Sequence, residues 1–173
     1  MQDKYVVTKI VIWYLPMFLS EIYMKPFAIY GMPVPLNRPR AFRKGNSIGM
    51  YDGQKKIKDM YRGQMEMNFN QTPFSVPIHL DLTFHFPIPK GTSRVRTREM
   101  LDGRLVPMKR PDLDNLVKFI LDCMNGIVFD DDSQVTDFHA KKIFGLEPMT
   151  IITILPQFHT KAVTDESNSG SGQ

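Results

Sequence analysis

From Val76 to Phe86 every second residue is apolar: Val76, Ile78, Leu80, Leu82, Phe84 and Phe86 alternate with Pro77, His79, Asp81, Thr83 and His85. A period of two places the six apolar side chains on one face of an extended strand and the polar ones on the other. A strand with one dry face needs neighbours in a sheet and a layer packed against that face. His79 and His85 fall on the polar side, with no metal-ligand spacing to any aspartate, and read as exposed structural residues.

A second periodicity supplies the covering layer. Leu113, Leu116, Val117, Ile120, Leu121 and Met124 recur at helical spacing as one apolar stripe, and Asn125-Gly126 gives a left-handed stop. A weaker helical pattern runs from Gln54 to Asn68, with Ile57, Met60, Tyr61 and Gln64 or Met67 on one side. Lys55, Lys56, Lys58 and Arg62 lie largely on the other. Phe27–Tyr30 reads as a short strand, followed by an extended loop in which Pro33, Pro35 and Pro39 forbid a helix or a central strand. Residues 89–110 read as a basic connection punctuated by Gly and Pro. Two strands, Val135–Phe144 and Met149–Leu155, complete the order β, α, β, α, β, β. The expected fold is a single α+β domain, a mixed or antiparallel sheet with two main helices on one face.

Of the 173 residues, this domain takes 25–157. Residues 1–24 do not match it. Their apolar run, Val6 to Leu19, is broken by Lys9 and Pro16 and is too short for a bilayer, which takes about 20 residues. No small-residue cleavage site follows, so a signal peptide is disfavoured. The reading favoured here starts the protein at Met24; an extra strand or short helix on the domain is the alternative. The tail, 158–173, is polar and is expected to be disordered. The lone Cys123 excludes an internal disulfide and favours a reducing compartment; its place on the helix pattern points to buried packing.

Charge is segregated along the chain. From Arg38 to Arg110 there are 15 Lys and Arg against 6 Asp and Glu, whereas from Asp112 to Asp137 there are 7 acidic residues against Lys118 alone. A basic body around an acidic pocket suits a polyanionic substrate cut at a metal; solvated faces that happen to cluster are the plain alternative. The acidic stretch opens with Asp112 and Asp114 at the helix start and closes with Asp130-Asp131-Asp132 before the next strand. Helix capping accounts for Asp112 alone, but not for Asp112 and Asp114 with three further aspartates. Clustered carboxylates are the ligands of a hard divalent cation such as Mg²⁺. Lys118, four residues after Asp114, either forms a helix-surface ion pair or reaches a phosphate oxygen. Arg38, Arg40, Arg43, Lys44, Lys90, Arg94, Arg96, Arg98, Lys109 and Arg110 are candidates for phosphate contact.

Pro111-Asp-Leu-Asp-Asn-Leu-Val-Lys118, the stop at Asn125-Gly126 and Asp131-Asp-Ser-Gln-Val135 together resemble the RusA family of Holliday-junction resolvases, especially its phage and prophage members. Phe86-Pro-Ile-Pro-Lys90 and Val34-Pro-Leu-Asn-Arg-Pro-Arg40 are similar to that family's layout, so the resemblance covers roughly residues 25–157. It implies a homodimeric, Mg²⁺-dependent endonuclease (with Mn²⁺ a possible substitute) that resolves four-way DNA junctions by paired symmetric nicks. The setting it implies is the cytoplasm of a bacterial or phage-infected cell, with no membrane partner. The family's roles fall on Asp112, Asp114 and Asp132 as metal-binding catalytic carboxylates and on Lys118 as the catalytic lysine. Asp131 is a supporting position or a further ligand. Leu36-Asn37 departs from the Lys-Gly common in that loop. Two other readings stay open: a non-catalytic junction- or DNA-binding protein, and a metal-dependent nuclease for other branched DNA or RNA.

Overall fold

A computed structural model describes residues 26–37, 40–45 and 47–157. The segments 1–24 and 158–173, Arg38, and the side chains of Arg40 and Lys44 lie outside the described residues. The elements in order are β1 (Phe27–Tyr30), β2 (Arg40–Lys44), β3 (Ser47–Tyr51), α1 (Lys55–Asn68), β4 (Ile78–Pro87), α2 (Arg94–Leu101), α3 (Leu113–Met124), β5 (Val135–Gly145) and β6 (Met149–Pro156). Four strands form one mixed sheet in the order β1-β6-β4-β5, and β2 pairs with β3 as a separate hairpin. The fold is α+β, as the sequence predicts.

β4 sits inside the sheet, antiparallel to β6 and parallel to β5. A parallel neighbour requires a long crossover, and here the connection carries both α2 and α3. The alternation of β4 is real: Ile78, Leu80, Leu82 and Phe84 are buried, while His79, Asp81, Thr83 and His85 are half-exposed. The strand begins at Ile78 rather than Val76, because Pro77 has no N–H to give the ladder. On the polar face His79 Nδ1 lies 2.8 Å from Asp137 Oδ2, and His139 Nδ1 lies 3.1 Å from Asp81 Oδ1. His79 and His139 therefore pair with aspartates across the polar face of the sheet, while His85 is partly covered.

The dry face is closed by α1 and α3. Leu116, Val117, Phe119, Ile120, Cys123 and Met124 of α3 are buried, joining Tyr61 and Met65 of α1 and the inward residues of β1, β4 and β6 in one core. Fully burying each large apolar side chain is worth about 1.5–3 kcal/mol. Tyr61 and Phe119 meet edge-on, with ring centroids 5.1 Å apart and planes at 89°. Charge joins the same two helices: Lys58 Nζ bridges Asp52 at 3.0 Å and Asp122 at 2.8 Å. Arg62 Nη1 donates to the carbonyls of Cys123 (3.1 Å) and Asn125 (2.9 Å), neutralising the negative end of α3.

Two elements depart from the sequence reading. α2 lies within the stretch read as a connection; its only buried residue is Met100, so it carries no apolar stripe. It is defined by its ends: Ser93 accepts from the Arg96 N–H, and Gly103, at φ 75°, turns the chain away. The β2–β3 hairpin pairs Arg40 with Tyr51 and Lys44 with Ser47. Among the described residues no helix is long and apolar enough to cross a membrane.

Candidate metal centre and its basic frame

Asp112 is the N-cap of α3, with extended backbone at φ −73° and ψ 145°, yet its side chain makes no capping hydrogen bond. Its carbonyl does the local work, accepting from the Leu116 N–H at 3.2 Å. The capping account of this carboxylate therefore fails, and the group stands exposed and unspent. Asp114 follows in the first helical turn, 3.2 Å from Lys118 Nζ. With the two side chains 64% and 59% exposed, the pair adds little to stability. It does tune charge: the Lys118 hydrogen bond, above all, holds the Asp114 carboxyl below the usual carboxylate range.

The segment leading into Asp112 is fastened from behind. Lys142 Nζ donates to the carbonyls of Lys109 (3.2 Å) and Pro111 (3.0 Å). Lys142 pairs with Phe84 in the β4–β5 register and so has the inward parity of the sheet. A lysine at an inward position is the sequence signal that marks it, and sequence reasoning passed over it. From the other side, the Leu36 N–H donates to the Asn115 carbonyl at 2.9 Å. Gln54, 4% exposed, fixes the same loop by donating to Pro35 O (2.8 Å) and accepting from Asn37 N (2.6 Å). Between loop and helix lies a cleft of about 480 Å³ lined by Pro35, Leu36, Phe86, Arg110, Asp112 and Asn115, among others.

The second acidic group sits on another element, the single 3₁₀ turn Asp132–Gln134 just before β5. Asp131 is spent on capping that turn: its Oδ1 accepts from the Ser133 N–H at 2.9 Å. Hydrogen bonds from Ser133, side chain first and then backbone, hold its carboxyl below the usual range. Gln134 completes a capping box, and its Nε2 donates to Phe74 O at 2.7 Å, tying the turn to the chain entering β4. Asp130 accepts from Ser75 Oγ at 3.1 Å. Asp132 is exposed; its carbonyl accepts from the Val135 N–H, and its side chain makes no hydrogen bond among the described residues.

The chain thus brings Asp112, Asp114 and Lys118 together and leaves Asp131 and Asp132 on a separate turn. Among the described residues no three His, Cys, Asp or Glu side chains converge as a metal-binding group. The donor chemistry at the head of α3 still fits a hard cation. Mg²⁺ is commonly held by one or two carboxylates, with waters and substrate phosphate filling its other positions. Asp112 and Asp114 are the two carboxylates that would hold it there.

Four basic residues gather beside this cleft. Lys90, Arg96, Lys109 and Arg110 line one continuous hollow beside the cleft, and Arg94 and Arg98 are exposed on α2. Arg43 is exposed on the hairpin. Among the described residues none of these seven forms an ion pair with a carboxylate, so their charge is available to a ligand.

The family model described as endodeoxyribonuclease RusA matches residues 31–155. The chain is also 30% identical over 132 residues to the uncharacterized protein YqaN of Bacillus subtilis (strain 168), an overlap of 74% of this chain and 93% of that protein. Match and site coincide, since residues 31–155 hold the proline loop, the head of α3 and the turn before β5: the chain belongs to the RusA endodeoxyribonuclease family.

Proposed function

We propose that the protein is a Mg²⁺-dependent endonuclease, with Mn²⁺ as a substitute, that resolves four-way DNA junctions by paired symmetric nicks. The observation that carries this reading is the Asp112 carboxylate, which caps nothing and stands beside the Asp114–Lys118 pair in the wall of a cleft that Arg110 also lines. Asp112 and Asp114 would hold the cation. Bound there, it supplies Lewis acidity toward the scissile phosphate and toward water. Lys118, held beside Asp114, offers its ammonium to a phosphate oxygen as charge develops there. The positive end of α3 points the same way. Asp132 is assigned as the third carboxylate on the family resemblance. Arg110 and the other unpaired cations hold flanking phosphates, which gives affinity without sequence choice.

The nuclease domain spans residues 25–157 and acts as a homodimer in the cytoplasm, one site for each nick across a two-fold junction. The test is a four-way junction assembled from synthetic strands. Paired nicks are expected in Mg²⁺, none with a chelator present, and little cutting of linear duplex of the same sequence. A gel shift without nicks in either Mg²⁺ or Mn²⁺ would leave a binding protein. Faster cutting of flaps or RNA would leave a nuclease of other purpose.

Lys142 gives a second expectation. Lys142→Met keeps the aliphatic stem and removes both carbonyl contacts behind Pro111. Cleavage should fall about 10–100-fold, as for other residues that orient metal ligands. Urea unfolding should register a loss of about 1–3 kcal/mol. Full activity in this variant would mean that the head of α3 needs no support from β5.

A further inference from the structure

Beside the Asp112 cleft lies a larger hollow of about 730 Å³, between the end of β4, α2 and the chain entering Pro111. The two share Met32, Phe86 and Arg110, so they form one continuous groove. Its walls are apolar: Phe86 and Phe144 are half-buried, whereas Met32, Val106 and Met108 are 50%, 49% and 89% exposed. Its rim is cationic, with Lys90, Arg96, Lys109 and Arg110, none of them paired to a carboxylate among the described residues.

This combination narrows the occupant. A bare phosphate has no use for methionine and phenylalanine walls. An apolar protein segment would strand four unpaired cations around its edge. A nucleotide satisfies both, with a flat base for the walls and an anion on either side for the rim. The volume falls within the range of about 300–1,000 Å³ typical of small-ligand sites. Methionines adapt to different flat shapes, which suits a pocket that accepts more than one base.

We propose that this hollow receives the unstacked base of a nucleotide adjoining the scissile phosphate. The proposal rests on the endonuclease reading above, which places that phosphate at Asp112 and Asp114. Arg110 spans both compartments, two residues before Asp112, so a strand lying on the carboxylates passes directly into the hollow. Bases at a branch point are the least costly to draw out of the stack, so the pocket favours a junction over intact duplex.

The test places the fluorescent adenine analogue aminopurine, one position at a time, around the nick site of a synthetic junction, in metal-free buffer with full-length protein. A rise in emission is expected at one position, and Val106→Glu or Met108→Glu should abolish it. Both residues are exposed, so the variants are expected to fold, and circular dichroism checks this. Cleavage in Mg²⁺ supplies the second readout: an abasic site at that position should slow wild type about tenfold, and the two variants should no longer respond to it. Emission unchanged at every position overturns the pocket, whether or not the protein cuts. Emission that rises where no junction is ever cut retires the endonuclease reading and leaves the base pocket standing.

Discussion

Asp114→Asn is expected to leave the fold intact and to slow junction cleavage about 1,000-fold. The side chain is 64% exposed, and asparagine keeps its size, so the thermal unfolding midpoint should barely move. What changes is charge. The substitution removes one of the two carboxylates proposed to hold the cation and also releases Lys118 from its 3.2 Å contact. Losing a Lewis-acid site is worth several kcal/mol at the transition state, and about 4 kcal/mol is three decades in rate. Single-turnover cleavage with saturating enzyme isolates this step from DNA binding. Cleavage within threefold of wild type would remove Asp114 from the site. DNA affinity should hold or rise, since a negative charge near phosphate is lost.

The second large effect is structural. Phe119→Ala should cost about 3–5 kcal/mol, from a total of about 5–15 kcal/mol for a domain of this kind. Phe119 is fully buried, and its ring meets Tyr61 edge-on, so truncation opens a cavity between α1 and α3 and also strips the tyrosine of its aromatic partner. The Tyr61 hydroxyl donates to Met32 O at 2.8 Å, so slack in this contact reaches the cleft wall. Urea denaturation followed by circular dichroism reads the stability loss. Cleavage at low temperature, where the variant remains folded, reads the cleft. A loss under 1 kcal/mol would mean that the two helices do not depend on this ring.

What the sequence disclosed and what it hid follow from the range of the forces involved. The β4 alternation and the α3 stripe were legible because each is a burial pattern written within one element. The pairing of β4 with β5 was not, since it depends on a crossover whose path no local pattern specifies. α2 escaped because only Met100 anchors it and its signals are a serine cap and a terminal glycine. At the site, the residue types at Asp112, Asp114 and Lys118 were readable from their spacing. That the Asp112 carboxylate is free of capping depends on side-chain direction, and the separate footing of Asp132 depends on how the turn packs. The inward place of Lys142 on β5 was legible, but not its partners, since the carbonyls it holds lie about 30 residues away.

One buried group has a practical side. Burial pushes the Cys123 thiol up to about 12, and the side chain, on the inward face of α3, is fully enclosed in the core. Protonated and out of reach of solvent, the thiol gives alkylating reagents almost nothing to attack in the native protein. A cysteine introduced at an exposed position such as Met108 can then be labelled selectively without first deleting the natural one. The fold supplies a silent background for attaching spectroscopic reporters at the groove.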